Sequence, residues 1–478
     1  MGGEMKVLFL SSEVVPFAST GGLGDVCRAL PLALRDLGVE VEIAMPLYRM
    51  VLERGFSPQP FREALPVELG AKGLTADLYR GDLEGIPVYF VRRDEFFDRS
   101  HLYGTPKGAY SDNAERFLFF TKALLSFGDS LGWPWDVIHC HDWHVALLPV
   151  YLKARGQPRP KVMLTVHNFG YQGDFPPEVL PLLDLPRGFS RELEHRGKVN
   201  FLKGGIVFSD LLTTVSPTYA REVQTSELGF GLQEVIRAHG RKLVGILNGV
   251  DYSIWDPRRD PFIAAHYGPE DLSGKGVCKE DLLRTLGLPL EMMGVPLFGM
   301  VSRLASQKGL DILLPVIPRL IEQGGGLVVL GTGEERYEEG LRELAARFPR
   351  QMRAEIAFDE ELAHKVEAGC DIYLMPSLYE PCGLNQMYSL RYGTLPVVRN
   401  TGGLADTVEA IGPRSDRGTG FKFQLFRPPY LWRAMKRAMG CFHQRDLWLG
   451  LMQQAMRVDF SWERSARRYV ELYRRLLS

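Results

Sequence analysis

Residues 6–45, KVLFLSSEVVPFASTGGLGDVCRALPLALRDLGVEVEIAM, decide the fold class. Lys6 to Ser12 is a short apolar run and reads as a buried strand. Ser19 to Gly22 is a glycine-containing loop. After it, Leu23, Val26, Leu30, Leu34 and Leu37 recur at three- and four-residue steps. That is one face of a helix, which Pro31 is expected to bend and Gly38 to stop. Val39 to Met45 is the next strand. Strand, crossover helix and strand imply parallel pairing.

The same rhythm continues outward. Asp136 to Cys140, Lys161 to His167 and Leu211 to Ser216 read as further strands. Near Asn248 the chain changes to NGVDYSIWDP, rich in turn formers, and we place a domain junction there. A second series follows. Pro296 to Ser302 is a strand, and a helix is expected from about Asp311 with Leu313, Leu314, Ile317, Leu320 and Ile321 on its apolar side. Leu327 to Leu330, Ala354 to Phe358, Asp371 to Ser377 and Leu395 to Arg399 read as strands. Ser461 to Ser478 reads as a basic amphipathic helix with Tyr469, Leu472, Tyr473 and Leu476 on one face. The expected architecture is α/β: two consecutive doubly wound, Rossmann-like domains, 1–247 and 248–460. Ligands of such sheets sit beyond the carboxyl ends of the strands, so two facing domains put a central cleft between two such edges.

Bulk composition fits this reading. At 478 residues the chain exceeds the roughly 250–300 at which single cores stop growing. With 57 basic and 58 acidic side chains, neither nucleic acid nor a membrane is an expected partner. Six scattered cysteines, with no C-x-x-C pair, argue against a disulfide framework or a zinc site and point to a reduced, cytoplasmic setting. The apolar run Val7 to Leu10 is too short for a signal peptide or a membrane span.

The informative residues cluster at the ends of the expected strands. Ser19-Thr20-Gly21-Gly22-Leu23-Gly24-Asp25 offers backbone N–H groups and a helix N-terminus to an anion, although a Gly-Gly pair alone also fits a plain turn. His139-Cys140-His141-Asp142-Trp143-His144 invites a metal reading, but no confirming ligand spacing follows. Asp142 and Trp143 suit sugar contacts better; the bland alternative is a buried indole beside a helix-capping carboxylate. His167-Asn168 can grip hydroxyls, and equally fits a satisfied structural pair. Arg303 and Lys308 follow a strand and can converge on one diphosphate, or be solvated surface charges. Glu380-Pro381-Cys382-Gly383-Leu384 places a carboxylate and a glycine on a turn leading into a helix. Thr401-Gly402-Gly403 is a second glycine turn opening a helix.

Each motif is weak alone. In this order, STGGLGDV, HCHDWH, TVHN, ILNGVD, SRLASQKG, YEPCGLNQ and RNTGGLADTV resemble the bacterial glycogen synthase and plant starch synthase family over most of the chain. The resemblance implies the GT-B fold and retaining transfer of glucose from ADP-glucose to the non-reducing end of an α-1,4-glucan, with no metal or organic cofactor. It implies that the second domain holds the nucleotide sugar. Arg303 and Lys308 match the family's phosphate-binding pair and Glu380 its carboxylate near the donor. His167 and Asn168 match sugar contacts near the reacting carbon. Asn248 matches a cleft residue, and Asp25, Asp142 and Trp143 match the acceptor and sugar side. Ser19, Gly21, Gly22, Cys382, Gly383, Leu384, Thr401, Gly402 and Gly403 complete the implied donor contacts. The final helix, 461–478, is implied to return to the first domain.

One position departs from the pattern. The family's first motif is usually Lys-x-Gly-Gly-Leu, and here Ser19 holds the place of that lysine. A hydroxyl cannot supply the lost charge, so a UDP-glucose-using GT-B transferase and a non-catalytic glucan-binding protein stand as the alternatives.

Overall fold

The computed structural model describes residues 5–105, 107–156, 159–412 and 415–478. It divides into two compact units, one of residues Met1–Gly249 with Trp462–Ser478 and the other of Val250–Ser461. Each is a doubly wound α/β layer structure around its own sheet.

In the first unit β1 (Lys6–Leu10) runs into the loop 11–21, then α1 (Gly22–Asp36), then β2 (Glu40–Pro46). β1 pairs in parallel with β2, in register from Lys6 opposite Glu40 to Leu10 opposite Ala44. Pro31 lies inside α1, which nonetheless spans fifteen residues, and Gly38 follows its end at φ +82°. β3 (Gln59–Leu69), β4 (Lys72–Leu83) and β5 (Ile86–Arg92) come next, then β6 (Val137–His141), β7 (Lys161–Val166), β8 (Leu211–Thr214) and β9 (Leu243–Gly245). The sheet order is β9-β8-β7-β6-β1-β2-β5-β4-β3. The antiparallel ribbon β3–β4–β5 is an addition to the expected all-parallel order. Its cause is local: β4 and β5 are joined only by Glu84 and Gly85, both at positive φ, and so short a turn permits only an antiparallel neighbour.

In the second unit β10 (Leu297–Val301), β11 (Gly326–Leu330), β12 (Met352–Glu355), β13 (Ile372–Met375), β14 (Leu395–Arg399) and β15 (Phe421–Phe423) form a parallel sheet in the order β12-β11-β10-β13-β14-β15. Among the helices that follow strands here are α2 (Asn385–Arg391) after β13 and α3 (Gly402–Thr407) after β14. The single helix expected beyond Asp311 is broken into Leu310–Leu313, a 3-10 turn Leu314–Val316 and Ile317–Glu322. Pro315 and Pro318 explain the breaks, since each lacks an N–H and starts a new turn at its first or second position. β12 lies earlier than the expected Ala354–Phe358 because register with β11 pairs Leu327 with Met352 and Leu330 with Glu355, leaving Phe358 95% exposed.

The last helix, α4 (Trp462–Leu477), packs on α1 within the first unit. Tyr469, Leu472 and Tyr473 are buried on its inner face. Among the described residues no helix is long and apolar enough to cross a membrane.

Candidate functional site

The strand orders locate the sites. In the first sheet the chain winds outward from β1 through β2 on one side and from β6 through β7 on the other. In the second it winds from β10 through β11 on one side and from β13 through β14 on the other. Ligands of open α/β sheets bind beyond the carboxyl edge where the winding reverses. Those points lie between β1 and β6, and between β10 and β13. Every motif singled out above except ILNGVD and RNTGGLADTV, which follow β9 and β14, or TVHN, which follows β7, leaves one of these four strands.

In the first unit, the loop after β1 is clasped by a residue the motifs did not mark. Glu13 is buried, and its carboxylate accepts the Thr20 N–H at 2.6 Å, the Thr20 hydroxyl at 2.8 Å and the Tyr103 hydroxyl at 2.7 Å. This holds Ser19 to Gly22 at the head of α1. Ser19 donates to the Gly21 carbonyl at 3.1 Å, and a Cβ on Gly24 would sit 2.7 Å from the Ser19 Cβ. A glycine is therefore needed at 24 for the turn to close. Gly21, with open space around it, and Gly22 are exposed, and Asp25 is exposed in the first turn of α1.

Across the switch point, Asp142 follows β6 with φ +60°, a left-handed conformation that costs a non-glycine residue about 1–3 kcal/mol. It is held there by its backbone N–H donating to the Thr165 carbonyl at 2.9 Å and by its carboxylate accepting the His167 N–H at 2.7 Å. The carboxylate thus ties the end of β6 to the end of β7 and caps no helix. Burial pushes its pKa up to about 7, against the lowering effect of that N–H. His167 is half-buried, and desolvation brings its imidazole down to about 3, so it is neutral. Its Nε2 meets His141 Nδ1 at 2.9 Å. His139, fully buried, meets the Tyr473 hydroxyl of α4 and the Thr165 hydroxyl, each at 2.6 Å. Asn168 accepts the Gly170 N–H at 2.9 Å. Trp143, expected on the sugar side, is 9% exposed, and its indole packs against His144, Phe117 and Phe175 as part of the crevice wall. Asn248 is buried after β9, and its Oδ1 has no hydrogen-bond partner among the described residues.

In the second unit, Arg303 is exposed just after β10, with no ion-pair or hydrogen-bond partner for its guanidinium among the described residues. Lys308 lies nearby on a 3-10 turn ended by Gly309 at φ +83°. A Cβ on Gly309 would stand 2.1 Å from the Pro376 carbonyl oxygen, so glycine lets this turn dock on the loop after β13. The Leu378 N–H donates to the Gln307 carbonyl at 2.8 Å across the same seam. Docking brings Lys308 Nζ to 2.7 Å from Glu380 Oε2, and the Ser377 hydroxyl donates to the same oxygen at 3.0 Å. Glu380 is buried and Lys308 partly exposed. The structure thus joins two predicted residues seventy-two positions apart.

The Gly402-Gly403 pair does something other than offer free amides. A Cβ on Gly402, at φ +45°, would lie 1.9 Å from the Glu380 carbonyl oxygen, and one on Gly403 would lie 2.0 Å from that of Cys382. The Gly403 N–H already donates to the Glu380 and Pro381 carbonyls, each at 3.1 Å. These glycines let α3, with Thr401 buried at its start, press against the backbone carrying Glu380. Gly383 has φ +70°, and Gln386 fixes its turn by donating to the Cys382 and Gly383 carbonyls at 3.0 and 3.1 Å. Cys382 is buried and Leu384 precedes α2.

The starch synthase catalytic domain family matches residues 6–238, and the glycosyl transferases group 1 family matches residues 290–421. A glycogen synthase of Koribacter versatilis is 46% identical over 98% of this chain and 98% of its own length. One of Anaeromyxobacter dehalogenans is 46% identical over 99% of this chain and 100% of its own length. The chain belongs to the glycogen and starch synthase family. It is a glycosyltransferase of GT-B architecture. The solved catalytic domain of starch synthase IV from Arabidopsis thaliana, bound to ADP and acarbose, is 35% identical, with a TM-score of 0.90 over 99% of this chain and 100% of that one. A sucrose-phosphate synthase from Thermosynechococcus elongatus, 15% identical with a TM-score of 0.62, shares the fold.

Within this family frame, sequence reasoning missed Glu13, His141 as the partner of His167, and Tyr373. The Tyr373 hydroxyl lies 3.0 Å from Val301 N and 2.9 Å from Asn385 Nδ2, where β10 and β13 have parted. Glu13 sits in SSEVVP, which carries no motif; only the bonds of the folded loop reveal it.

Proposed function

We propose that this synthase transfers glucose from ADP-glucose to the 4-hydroxyl at the non-reducing end of an α-1,4-glucan, with retention of configuration. The observation that carries this reading is the second unit's switch-point crevice. There Arg303, without an ion-pair partner among the described residues, lies on the same loop as Lys308, which pairs with Glu380 on the loop docked against it. Arg303 and Lys308 neutralise charge that builds on the leaving diphosphate as its bond to the sugar breaks. Glu380 orients the Lys308 ammonium and lowers the cost of holding it partly desolvated.

The first unit supplies a different chemistry. His167 is neutral and Asp142 titrates near neutrality, so this crevice favours neutral hydroxyls over phosphate. The motifs hold no carboxylate pair of the kind a double displacement uses. A front-face route fits: the bond from C1 to the phosphate oxygen breaks, the acceptor oxygen bonds C1 on the same face, and its proton passes to the leaving phosphate. The Arabidopsis relative holding ADP and acarbose supports both an adenine nucleotide and an oligosaccharide as ligands.

The test is incubation with glycogen and radiolabelled ADP-glucose or UDP-glucose. We expect incorporation from ADP-glucose at a kcat/KM clearly above that for UDP-glucose. Preference for UDP-glucose overturns the donor assignment. No incorporation from either favours the glucan-binding alternative that Ser19 raises.

A further inference from the structure

His167 can serve a sugar oxygen in two opposite ways. Its free nitrogen is either an N–H donor or a lone-pair acceptor, depending on the tautomer. The buried histidines behind it decide which.

His141 is fully buried at the end of β6. Its ring lies against Phe9 at 4.0 Å between centroids and against His139 at 4.2 Å. Its Nδ1 makes the 2.9 Å contact with His167 Nε2, and its Nε2 is buried with no hydrogen-bond partner among the described residues. One proton must lie between the two facing nitrogens. If it belonged to His167, then His141, being neutral, would carry its own proton on Nε2, as a buried N–H without an acceptor. Orphaned buried N–H groups are rare in folded proteins, and a bare acceptor is better tolerated. Burial also disfavours a cationic His141, which would have two N–H groups. The proton therefore sits on His141 Nδ1 and is donated to His167 Nε2. That leaves His167, also neutral, with its proton on Nδ1, the nitrogen for which no partner is found among the described residues.

We infer that His141 is a positioning residue that fixes His167 as the Nδ1–H tautomer, so that His167 presents a hydrogen-bond donor to a sugar oxygen. The backbone bond from His167 N–H to Asp142 holds the same residue from the other side, so ring and main chain are both set before ligand arrives. A donor at this position favours an oxygen lone pair, whereas the other tautomer would favour a hydroxyl proton. The catalytic consequence rests on the proposed function; the tautomer does not.

Two readouts separate those claims. The protein labelled with 15N in its histidine rings reports, through two-bond proton–nitrogen correlations, which nitrogen of His167 is protonated, with His167→Asn identifying the signal. We expect a protonated Nδ1 and a bare Nε2 in the wild type at pH 7.5; the reverse pattern overturns the inference outright. His141→Phe removes the hydrogen bond that holds the His167 ring and should lower kcat by about tenfold, the scale of one neutral hydrogen bond, with glucan KM changed less; His167 Nε2, then facing an apolar ring, should stay bare. His141→Asn, whose Nδ2–H stands where Nδ1–H did, should restore the hydrogen bond to His167 Nε2 and most of kcat. A structural role alone would not make Asn a better replacement than Phe, so equal losses for the two overturn the positioning role. If the Nδ1–H pattern is found while His167→Asn leaves turnover intact, the tautomer stands and the assignment of His167 to the sugar fails.

Discussion

The crevice between β1 and β6 and the crevice between β10 and β13 occupy the same topological place in their sheets, yet their polar groups are managed differently. In the first unit, His139, His141, His167, Thr165 and Asp142 form a largely buried lattice of neutral or near-neutral hydrogen bonds. The Glu13 carboxyl group is engaged by Thr20 of its own loop and by Tyr103. In the second, a partly exposed lysine stands beside a buried carboxylate, and an exposed arginine lies on the lysine's loop. The fold supplies the location; what leaves the strands there decides whether neutral hydroxyls or anionic phosphates are favoured. The comparison breaks if charge proves dispensable in the second unit or essential in the first.

The largest expected effect is therefore at Lys308. Lys308→Ala should lower kcat by about 10²-fold or more at saturating donor, the scale for one lost electrostatic donor. It also leaves Glu380 buried without its cation, so thermal stability should fall, by less than the roughly 3–5 kcal/mol typical of a fully buried pair because Lys308 is partly exposed. Adding Glu380→Gln should recover much of the stability and little of the activity. A single variant with unchanged kcat removes Lys308 from the mechanism.

A smaller effect tests the first unit. The Asp142 carboxyl titrates near 7 because burial disfavours its charge, whereas an unfolded aspartate titrates near about 3.9. Between those values the folded state holds a proton that the unfolded state has lost. This group's stabilisation is therefore full below the lower value and is lost as pH rises through the upper one. Asp142→Asn keeps an acceptor for the His167 N–H and removes the titration. Relative to wild type, its stability in denaturant titrations should improve by roughly 2 kcal/mol between pH 5 and pH 8. A difference that does not change with pH would show that Asp142 is charged throughout, and the contrast between the crevices would weaken.

These residues also show what a sequence can carry. Strand–loop–helix rhythm places β1, β6, β10 and β13, because buried parallel strands are short apolar runs. The rhythm is silent on β3–β4–β5, where half-exposed alternation and a two-residue Glu84-Gly85 turn replace it. It also overlooks the Pro315 and Pro318 breaks, because an apolar stripe survives a change of helix type. Within the sites, residue type marks Arg303, Lys308, Glu380, Asp142 and His167 as candidates, but not what each touches. The Lys308–Glu380 pair depends on two loops docking through Gly309, and the His141–His167 contact depends on two neighbouring strands ending together. Trp143 shows the limit most clearly: an indole has the same letter whether it stacks on a sugar or fills a wall.

The smallest expected effect sharpens the comparison at its weakest point, the loop after β1. If the first unit lacks cations at its crevice, introducing one should tell whether phosphate comes near. Ser19 is partly exposed, and among the described residues its Oγ makes one bond, to the Gly21 carbonyl. Its Cβ already rests over Gly24, and a lysine keeps that Cβ, so Ser19→Lys loses a single hydrogen bond and leaves the turn intact. The Glu13 bonds to Thr20, which hold the loop, are untouched. A solvent-exposed charge contributes about 0.2–1 kcal/mol, so the donor KM should fall by no more than about fivefold, with kcat nearly constant. The gain should shrink as salt rises from low to physiological strength, because the Debye length contracts. It should also be equal for ADP-glucose and UDP-glucose, since the added charge meets the shared diphosphate and not the base. A KM unmoved at low salt places position 19 away from the donor. A gain confined to one nucleotide would mean that the loop senses the base, and the first unit's crevice would then hold more of the donor than its neutral chemistry implies.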